Sequence, residues 1–372
     1  MNNYRICNRC VMDNTSDKSI SFDSSGNCNY CNEAYSKKDK VYLNNSQGEE
    51  NLKKLINRLK EENREKKYDC LMGISGGLDS SYLAYLGAAK WGLRILAIHV
   101  DDGFDTEISK RNIERLCKTL NIELITINPD KEQFNMLIKA YMYSRVPNLA
   151  APQDNVLFAS IYKYMRLYGI NTFLSGGNFA LESILQKGNT HDAYDVRNIK
   201  HINRLFGEGK IDKLDFISNF QRDINRVVYG IRTIRPLDYI DYRRDQALSE
   251  LNKYCEFEYY GSKHLENTLT KFVQVYWFYN KFGVDKRRSH LSSMIISNQI
   301  TRDQALVILE EPPYKNEGID SDIELILNQL NLSTNDFKII MEGSPKQHTD
   351  YHTSIYNLCR TRALKIYRKV SR

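Results

Sequence analysis

The segment Cys70–Leu86, "CLMGISGGLDSSYLAYL", decides the fold that we expect for this chain. An apolar run is followed by a glycine pair and then by a helix-like pattern, the strand–loop–helix order of a phosphate-binding loop. The usual phosphate loop has the pattern G-x-x-x-x-G-K-S/T. Gly73 opens such a frame, but Leu78 replaces its second glycine and Asp79 replaces its lysine. A loop suited to a polyanion therefore carries a carboxylate at its tip, and this difference needs a chemical reason.

The loop residues themselves suit phosphate binding. Gly76 and Gly77 let the backbone approach a phosphate closely, and the N–H groups of the loop and of the following helix end bind the anion. Ser75, Ser80 and Ser81 add hydroxyl donors. The alternative, a plain glycine turn between a strand and a helix, would not need three hydroxyls.

Strand and helix patterns alternate on the C-terminal side of this segment. Further strands are predicted at 93–100, 122–128 and 170–178. Alternation of this kind predicts an α/β fold with a parallel sheet, in which ligands bind beyond the carboxyl ends of the strands. Three polar or glycine-rich tips fall at those ends, at 75–80, 99–103 and 175–178. We expect them to meet in one crevice.

Four of the eight cysteines form two C-x-x-C pairs, Cys7 with Cys10 and Cys28 with Cys31. Each pair can present two sulfurs to one ion, and Zn²⁺ binds four thiolates in a tetrahedron. A closed site of four cysteines has no open position, so we expect a structural zinc. The alternatives are four free thiols or a redox pair, and the βαβ context of a redox pair is missing.

Length and composition allow a protein of two or three domains. We divide the 372 residues into a zinc-binding module at 1–48, a nucleotide-binding α/β domain at 49–203 and a mostly helical substrate or partner region at 204–372. A composition of 41% hydrophobic and 27% charged residues is typical of soluble globular proteins. No apolar run approaches ~20 residues and the N-terminus has no signal core, so we expect a cytoplasmic protein without a membrane contact.

The charge balance bears on possible partners. The net charge of +7 favours anionic ligands such as nucleotides, but it is too small to indicate nucleic acid binding. The sequence leaves the oligomeric state open.

The motif S-G-G-x-D-S at 75–80 resembles the pyrophosphate loop, or PP-loop, of the ATP pyrophosphatase superfamily. That superfamily includes asparagine and GMP synthetases, NAD synthetase and tRNA thiolation enzymes. The resemblance implies that ATP is cleaved between its α and β phosphates, that a substrate carbonyl oxygen takes the AMP, and that pyrophosphate leaves. It also implies that Asp79 helps to hold Mg²⁺, which prefers hard oxygen ligands and bridges phosphates.

Six motifs in order narrow the resemblance: "CNRCVMDNTSD" (7–17), "SGGLDSSYLAYL" (75–86), "PQDNVLFA" (152–159), "LSGGN" (174–178), "GSKHLE" (261–266) and "DKRRSHLSSMI" (285–295). Together they resemble the bacterial N-acetyl sugar amidotransferases of surface-polysaccharide and nonulosonic-acid pathways. That family implies conversion of an acetamido group, on a nucleotide-linked or free sugar, into an acetamidino group.

The matching motifs supply the candidate catalytic residues. Lys286, Arg287 and Arg288 form a basic cluster that could clamp phosphates or a sugar carboxylate, with a solvated turn as the alternative. His264 and Glu266 could handle protons when ammonia adds. With Asp79, we take His264, Glu266, Lys286 and Arg287 as catalytic, and Arg288 as a substrate contact.

The remaining candidates fall at strand ends and one helix start. We expect ATP contacts from Asp101, Gly176, Gly177 and Asn178, and substrate contacts from Lys263, Asp154 and Asn155. For Asp101 a turn is an equal alternative, and for Asp154 a helix cap.

The source of ammonia is a further question, because a glutaminase needs an activated cysteine. Asn2 follows the initiator Met where an N-terminal nucleophile would stand, and Cys70 and Cys117 lie within a strand and a helix. We therefore expect ammonia from a separate glutaminase, with a possible channel-forming, cyclase-like partner.

Two rival functions remain. One is a tRNA-modifying enzyme of the same superfamily, a thiolase or a lysidine-synthetase-like enzyme, although no cysteine lies between 118 and 254. The other is a non-catalytic nucleotide-binding scaffold.

Overall fold

The computed structural model describes residues 4–15, 17, 19–261, 265–314 and 318–360. Among these residues, parallel strands form one five-stranded sheet in the order β3-β2-β1-β4-β5. The strands are β1 (Cys70–Gly73), β2 (Ile95–Val100), β3 (Glu123–Ile127), β4 (Thr172–Leu174) and β5 (Arg232–Ile234). The predicted α/β class with a parallel sheet is confirmed.

Strand β5 lies outside the predicted range of the α/β domain. It pairs with β4 through Thr172 and Arg232, so the sheet continues past residue 203, where we placed its end. The strand has three residues, and its pattern is partly exposed and begins with arginine. It therefore lacks the continuous apolar run by which the other buried strands were recognised.

Helices surround the sheet and fill most of the C-terminal region, as predicted. Their bounds are α1 (Asn29–Val41), α2 (Ser46–Glu62), α3 (Leu78–Tyr85), α4 (Glu107–Leu120), α5 (Lys131–Ser144), α6 (Ala151–Leu167), α7 (Phe179–Glu182), α8 (Val196–Phe206), α9 (Asn219–Val228), α10 (Arg244–Cys255), α11 (Thr268–Lys271), α12 (Phe278–Phe282), α13 (Arg287–Ile296), α14 (Arg302–Glu310), α15 (Ile319–Gln329) and α16 (Thr334–Glu342). Two π-helical turns, Leu86–Lys90 and Phe272–Trp277, continue α3 and α11. Within the described ranges, every helix is too short or too polar to cross a lipid bilayer.

Both faces of the sheet are buried, as a parallel sheet requires. On one face, Leu71, Leu96 and Ile98 pack with Ile161 and Met165 of α6. On the other face, alternate residues pack with α3 and α4 in the largest cluster: Cys70, Met72, Ala97, Leu83, Ile113 and Leu116. The period-2 alternation of side chains thus assigns successive residues of the central strands to opposite faces, and the parallel pairing aligns the carboxyl ends of the strands at one edge.

The N-terminal module is anchored to the C-terminal helices rather than hanging from a linker. Arg288 of α13 forms an ion pair with buried Asp13 at 3.0 Å. Lys38 of α1 donates to the Ile296 carbonyl at 2.7 Å. The cysteines and α13 also share the largest apolar cluster. Residues far apart in sequence therefore stabilise one another around the module.

Candidate functional site

The loop between β1 and α3 depends on glycine. Gly76 has a φ of +72°, and a Cβ at this position would lie 2.5 Å from the Ser109 carbonyl oxygen. Only glycine meets both conditions without displacing α4. Gly77 then caps α3, whose first turn begins at Leu78. The start of this helix lies in the wall of the open cleft, and a helix N-terminus is a general site for anions.

The predicted crevice exists, because the glycine-rich tips touch. A Cβ on Gly176 would lie 3.1 Å from the Ser80 nitrogen, so the 175–178 tip abuts the start of α3. The end of β2 joins them through Thr106, whose N–H and hydroxyl both donate to the Glu266 carbonyl at 3.1 Å. The Glu266 carboxylate lies against Gly77 and 3.4 Å from the Ser75 hydroxyl. Glu266 thus connects elements from both halves of the chain.

A cleft with about 690 Å³ of open space lies over these tips. Its wall comprises Ser75, Gly77, Leu78, Asp79, Ser80, Gly176, Gly177, Leu181, Glu182, Arg244, Tyr259, Tyr260, Glu266 and His290. The Tyr242 hydroxyl donates to the Asp79 carboxylate at 2.5 Å, which holds that side chain in one orientation. The Leu78 N–H donates to the Tyr260 hydroxyl at 3.0 Å.

The electrostatics of the cleft are mixed. Asp79, Glu182 and Glu266 place three carboxylates beside a backbone cradle for anions. Carboxylates and phosphates repel, so a polyanion fits here when divalent cations lie between them. The donor set therefore suits Mg²⁺ bound together with phosphates.

A second cavity, with about 1120 Å³ of open space, lies beyond the ends of β1 and β2. Its lining is mostly apolar, with Val100, Phe134 and Leu157 among its walls. Ser75 and Glu266 line both the cleft and this cavity, so the two spaces adjoin. An apolar cavity beside a phosphate cradle suits a nucleotide that lies across both.

A buried polar network forms one wall of the second cavity. His99 of β2 contacts the Asp105 carboxylate at 3.1 Å through Nε2 and the Ile74 carbonyl at 3.0 Å through Nδ1. Burial by itself would lower the pKa of His99, but the hydrogen bond and the charge of Asp105 have a larger effect, so the pKa is raised overall. The imidazole therefore ties the end of β2 to the first residue of the phosphate loop. Sequence analysis missed this residue, although a polar side chain at a strand end was a usable signal.

Asp102 is the second carboxylate of this network. Burial raises its pKa to about 6, with the Asp105 charge acting in the same direction. The amides of Gln153 and Asn267 donate to it. Its neighbour Asp101, which we predicted as an ATP contact, accepts from the Gly103 N–H at 2.9 Å and shapes the turn instead.

Several predicted contacts line the two spaces. In the cleft these are Ser75, Gly77, Asp79, Ser80, Gly176, Gly177 and Glu266. Asp154 lines the second cavity and is exposed to solvent. Protein atoms around its carboxylate still displace part of the solvent, and this desolvation raises its pKa to about 6.

Three other predicted contacts are buried side chains. Ser81 is completely buried within α3, so its hydroxyl faces the core. Asn178 accepts from the Leu181 N–H at 2.9 Å and caps α7. Asn155 is completely buried and exchanges hydrogen bonds with the backbone of Ile217 at 2.9 Å.

The two arginines of the basic cluster at 286–288 pair with carboxylates of the protein. Arg287 pairs with Asp285 at 2.7 Å, and Arg288 pairs with Asp13 at 3.0 Å. Burial lowers the pKa of Lys286 to about 8. The two guanidiniums thus hold helices and the N-terminal module together, and the predicted anion contacts of Arg287 and Arg288 stay a prediction.

Other residues of the cleft were missed. His290 follows the basic cluster by two residues, and Arg244 and Tyr259 come from α10 and the segment after it. Their sequence neighbourhood has no glycine-rich signal. Predicted Lys263 and His264 lie outside the described residues.

The four N-terminal cysteines form the predicted cluster. All four are fully buried, and their sulfurs lie within 4.8 Å of one another. The Cys7–Cys31 and Cys10–Cys28 sulfur distances are 3.8 Å and 3.6 Å. A tetrahedron with Zn–S bonds of ~2.3 Å has edges of about 3.8 Å. The donor set therefore suits one tetrahedral metal ion.

Comparison with protein families agrees with the motifs at the C-terminal end. Residues 266–365 match the family model described as LPS biosynthesis protein WbpG-like, C-terminal domain. This match confirms, over that segment, the predicted resemblance to bacterial surface-polysaccharide enzymes. None of the curated proteins matches the chain.

Three solved structures show a loose similarity. NMN synthetase from Francisella tularensis is 17% identical, with 78% of this chain and 95% of that chain covered and a TM-score of 0.35. The U34-tRNA thiolase NcsA from Methanococcus maripaludis with its 4Fe–4S cluster is 19% identical, with 84% of this chain and 90% of that chain covered and a TM-score of 0.35. NAD⁺ synthetase from Burkholderia pseudomallei is 13% identical, with 82% and 95% covered and a TM-score of 0.31. At these TM-scores, the site has to be interpreted from this chain's own residues.

We predict that Cys10→Ser removes the bound metal and lowers the melting temperature by at least about 5 °C, because the cluster shares a core with α13. Elemental analysis and calorimetry measure both effects. Cys359→Ser, which changes an exposed cysteine outside the cluster, is the matched control and should change neither. Unchanged metal content in Cys10→Ser would contradict the assignment.

A second prediction concerns Asp102. Its pKa is about 6 in the folded chain and lies above that of an unfolded aspartate, so the folded state binds the proton more tightly. Stability should therefore fall as the pH rises from about 4 to about 6, by at most about 1.4 kcal/mol per pH unit. Asp102→Asn should flatten this part of the stability profile in urea titrations. An identical slope in both proteins would contradict the raised pKa.

Proposed function

We propose that this chain is an ATP-dependent, AMP-forming amidotransferase that converts the acetamido group of a bacterial sugar into an acetamidino group. The observation that carries the proposal is the junction of the phosphate cleft and the apolar cavity at Ser75 and Glu266. The motif resemblance and the family match at 266–365 support a substrate from surface-polysaccharide synthesis.

The junction supports a position for the reacting phosphate. With the β and γ phosphates at the 75–80 loop and the adenosine in the apolar cavity, the α phosphate lies between them, near Ser75 and Glu266. The bond between the α and β phosphates is then the one exposed at the meeting point of the strand tips. This position explains why the loop carries Asp79 instead of lysine, because the loop holds a pyrophosphate leaving group and not a transferred γ phosphate. Mg²⁺ would neutralise the pyrophosphate, and the Asp79 carboxylate would bind the Mg²⁺ ion.

The chemistry follows from the poor reactivity of an amide. The acetamido carbonyl oxygen attacks the α phosphate, the α–β bridging bond breaks, and pyrophosphate leaves. The product is an O-adenylyl imidate, in which AMP has become the leaving group. Ammonia adds to the imidate carbon, the C–O bond breaks, and AMP leaves with the original carbonyl oxygen. One hard substitution is thereby divided into two easier ones.

Three groups of the cleft suit the stabilisation of charge and the transfer of protons. Arg244 can stabilise the charge that develops on the phosphates. Glu266 lies at the junction and His290 lies on the cleft wall, where a proton from the adding ammonia can be accepted. This extends the predicted role of Glu266 and adds His290 to the candidates.

The cysteines weigh against the thiolase alternative and against a built-in glutaminase. Burial raises the pKa of Cys70, Cys117 and Cys255, that of Cys117 to about 12. A thiol of this kind is a weak nucleophile at neutral pH. Among the described residues, which include all eight cysteines, no thiol lines the cleft or the second cavity. We therefore propose that ammonia comes from a separate glutaminase.

The loop also gives the main test of the function. With ATP, Mg²⁺, ammonia and a panel of UDP- and CMP-linked acetamido sugars, the chain should form AMP and a product about one mass unit lighter than the sugar. Asp79→Ala should lower AMP formation by about a hundredfold or more, because Mg²⁺ and pyrophosphate lose a ligand. Chromatography of AMP and mass spectrometry of the sugar measure both.

The matched control is Glu114→Ala, which removes an exposed carboxylate of α4. It should retain the wild-type rate. Normal AMP formation by Asp79→Ala would contradict the role of that carboxylate, and AMP formation only with tRNA would favour the tRNA-modifying alternative. AMP formation under no condition would favour the scaffold.

A separate prediction concerns the nitrogen source. Ammonium chloride should support turnover by the pure chain, whereas glutamine should not, because no thiol of the described residues lines the cleft or the second cavity. Saturation curves with each nitrogen source measure this. Glutamine-dependent turnover at a rate similar to that with ammonia would contradict the separate glutaminase.

A further inference from the structure

A third cavity lies beyond the ends of β4 and β5 and is not needed for ATP. It has about 870 Å³ of open space. Its walls are Phe158, Ile161, Tyr162, Met165, Phe173, Ser175, Tyr194, Arg222, Thr233 and Arg235. Phe158, Ile161 and Phe173 also line the second cavity, so the third cavity adjoins the space that we assign to adenosine.

Aromatic rings line the walls of the third cavity. The Phe158 ring lies 5.4 Å from the Tyr194 ring and 6.2 Å from the Phe173 ring, centre to centre. Rings in this arrangement present flat apolar surfaces, on which a sugar or a nucleobase can stack.

The third cavity also carries positive charge. The Arg222 guanidinium lies 3.6 Å from the centre of the Tyr194 ring, and its Nη1 donates to Asn219 at 3.0 Å. Its Nε is buried and has no partner among the described residues. Arg235 directly follows β5 and is exposed, with its Nε close to Gly177. Among the described residues that line this cavity there is no carboxylate.

The charges of the two adjoining cavities suit two different ligands. The second cavity contains Asp102, Asp105 and Asp154, which suit the hydroxyls and the amino group of adenosine but repel a second anion. The third cavity has guanidiniums and aromatic rings, which attract an anion attached to a ring. ATP accounts for the cleft and the second cavity, so the third cavity is available for the acceptor.

The register of β4 on β1 places the third cavity beside the position that we propose for the α phosphate. Leu174 of β4 pairs with Met72 of β1, so Ser175, which lines the third cavity, follows at the level of Gly73 and the phosphate loop. Gly176 and Gly177, the next two residues, line the cleft. A sugar in the third cavity can therefore extend its acetamido group past Ser175 towards the α phosphate.

We propose that the third cavity is the acceptor site, and that Arg222 and Arg235 bind an anionic group of the acceptor while Tyr194 and Phe158 stack on its ring. The inference rests on the proposed function, because it assigns the second substrate of the same reaction. The anion can be the diphosphate of a nucleotide-linked sugar or the carboxylate of a free sugar acid, which both guanidiniums recognise in the same way.

The experiment measures binding and not turnover. The chain is saturated with α,β-methylene-ATP and Mg²⁺, so that the cleft and second cavity are occupied. Isothermal titration then uses UDP, UDP-N-acetylglucosamine, N-acetylneuraminic acid and the uncharged N-acetylglucosamine as probes. We expect an anionic probe to bind more tightly than N-acetylglucosamine. Binding of UDP identifies the diphosphate as the recognised anion, and binding of N-acetylneuraminic acid without UDP identifies the carboxylate.

Variants assign the binding to this cavity. Arg222→Ala and Arg235→Ala should each weaken binding of the anionic probe at least tenfold, and Arg222→Lys should recover part of it. Arg226→Ala is the matched control, because Arg226 is an exposed arginine on the same helix, and it should leave binding unchanged. Unaltered binding of α,β-methylene-ATP by each variant shows that the fold is intact.

The outcomes separate the inference from the proposed function. The assignment is overturned if no anionic probe binds the saturated wild-type chain, or if binding is the same in Arg222→Ala and Arg235→Ala. Arginine-dependent binding without AMP formation from any acetamido sugar would instead uphold the site and reject the amidotransferase.

Discussion

The close contact between the strand tips is the constraint on which the site depends. Gly76 lies against the backbone of α4, and Gly176 lies against the first turn of α3. A side chain at Gly76 would collide with Ser109, and one at Gly176 would be crowded by Ser80. Both contacts are made by backbone, so the loop and the first turn of α3 are held at the wall of the cleft. The cleft, its junction with the apolar cavity and the position of Asp79 all follow from this packing.

The C-terminal half of the chain completes a site that the sheet alone leaves open. The Glu266 carbonyl accepts from Thr106, and its carboxylate reaches the loop at Ser75. Asn267 donates to Asp102 and Asp105, so the wall of the second cavity is also closed from this side. The family match begins at Glu266, and the segment that it covers therefore includes residues that complete the walls of the cleft and of the second cavity.

The sequence was sufficient where local geometry determines the role. Gly76 needs its positive φ, the cysteine pairs need their spacing, and the strand tips must converge once the sheet is parallel. The sequence was insufficient where a partner that is distant in the chain determines the role of a residue. Arg287 and Arg288 looked like an anion clamp, but Asp285 and Asp13 neutralise them, and Asp13 is far away in sequence. Strand β5 and His290 were missed for the same reason, because their roles come from neighbours and not from a local pattern.

The central claim is that AMP is formed on the acetamido oxygen of the sugar. It is tested most directly with an acceptor sugar whose acetamido carbonyl carries ¹⁸O, incubated with ATP, Mg²⁺ and ammonia and analysed by mass spectrometry. The account predicts that the released AMP gains one ¹⁸O and that the acetamidino product has lost it. Retention of ¹⁸O in the sugar, or its appearance in inorganic phosphate or pyrophosphate, would contradict the account.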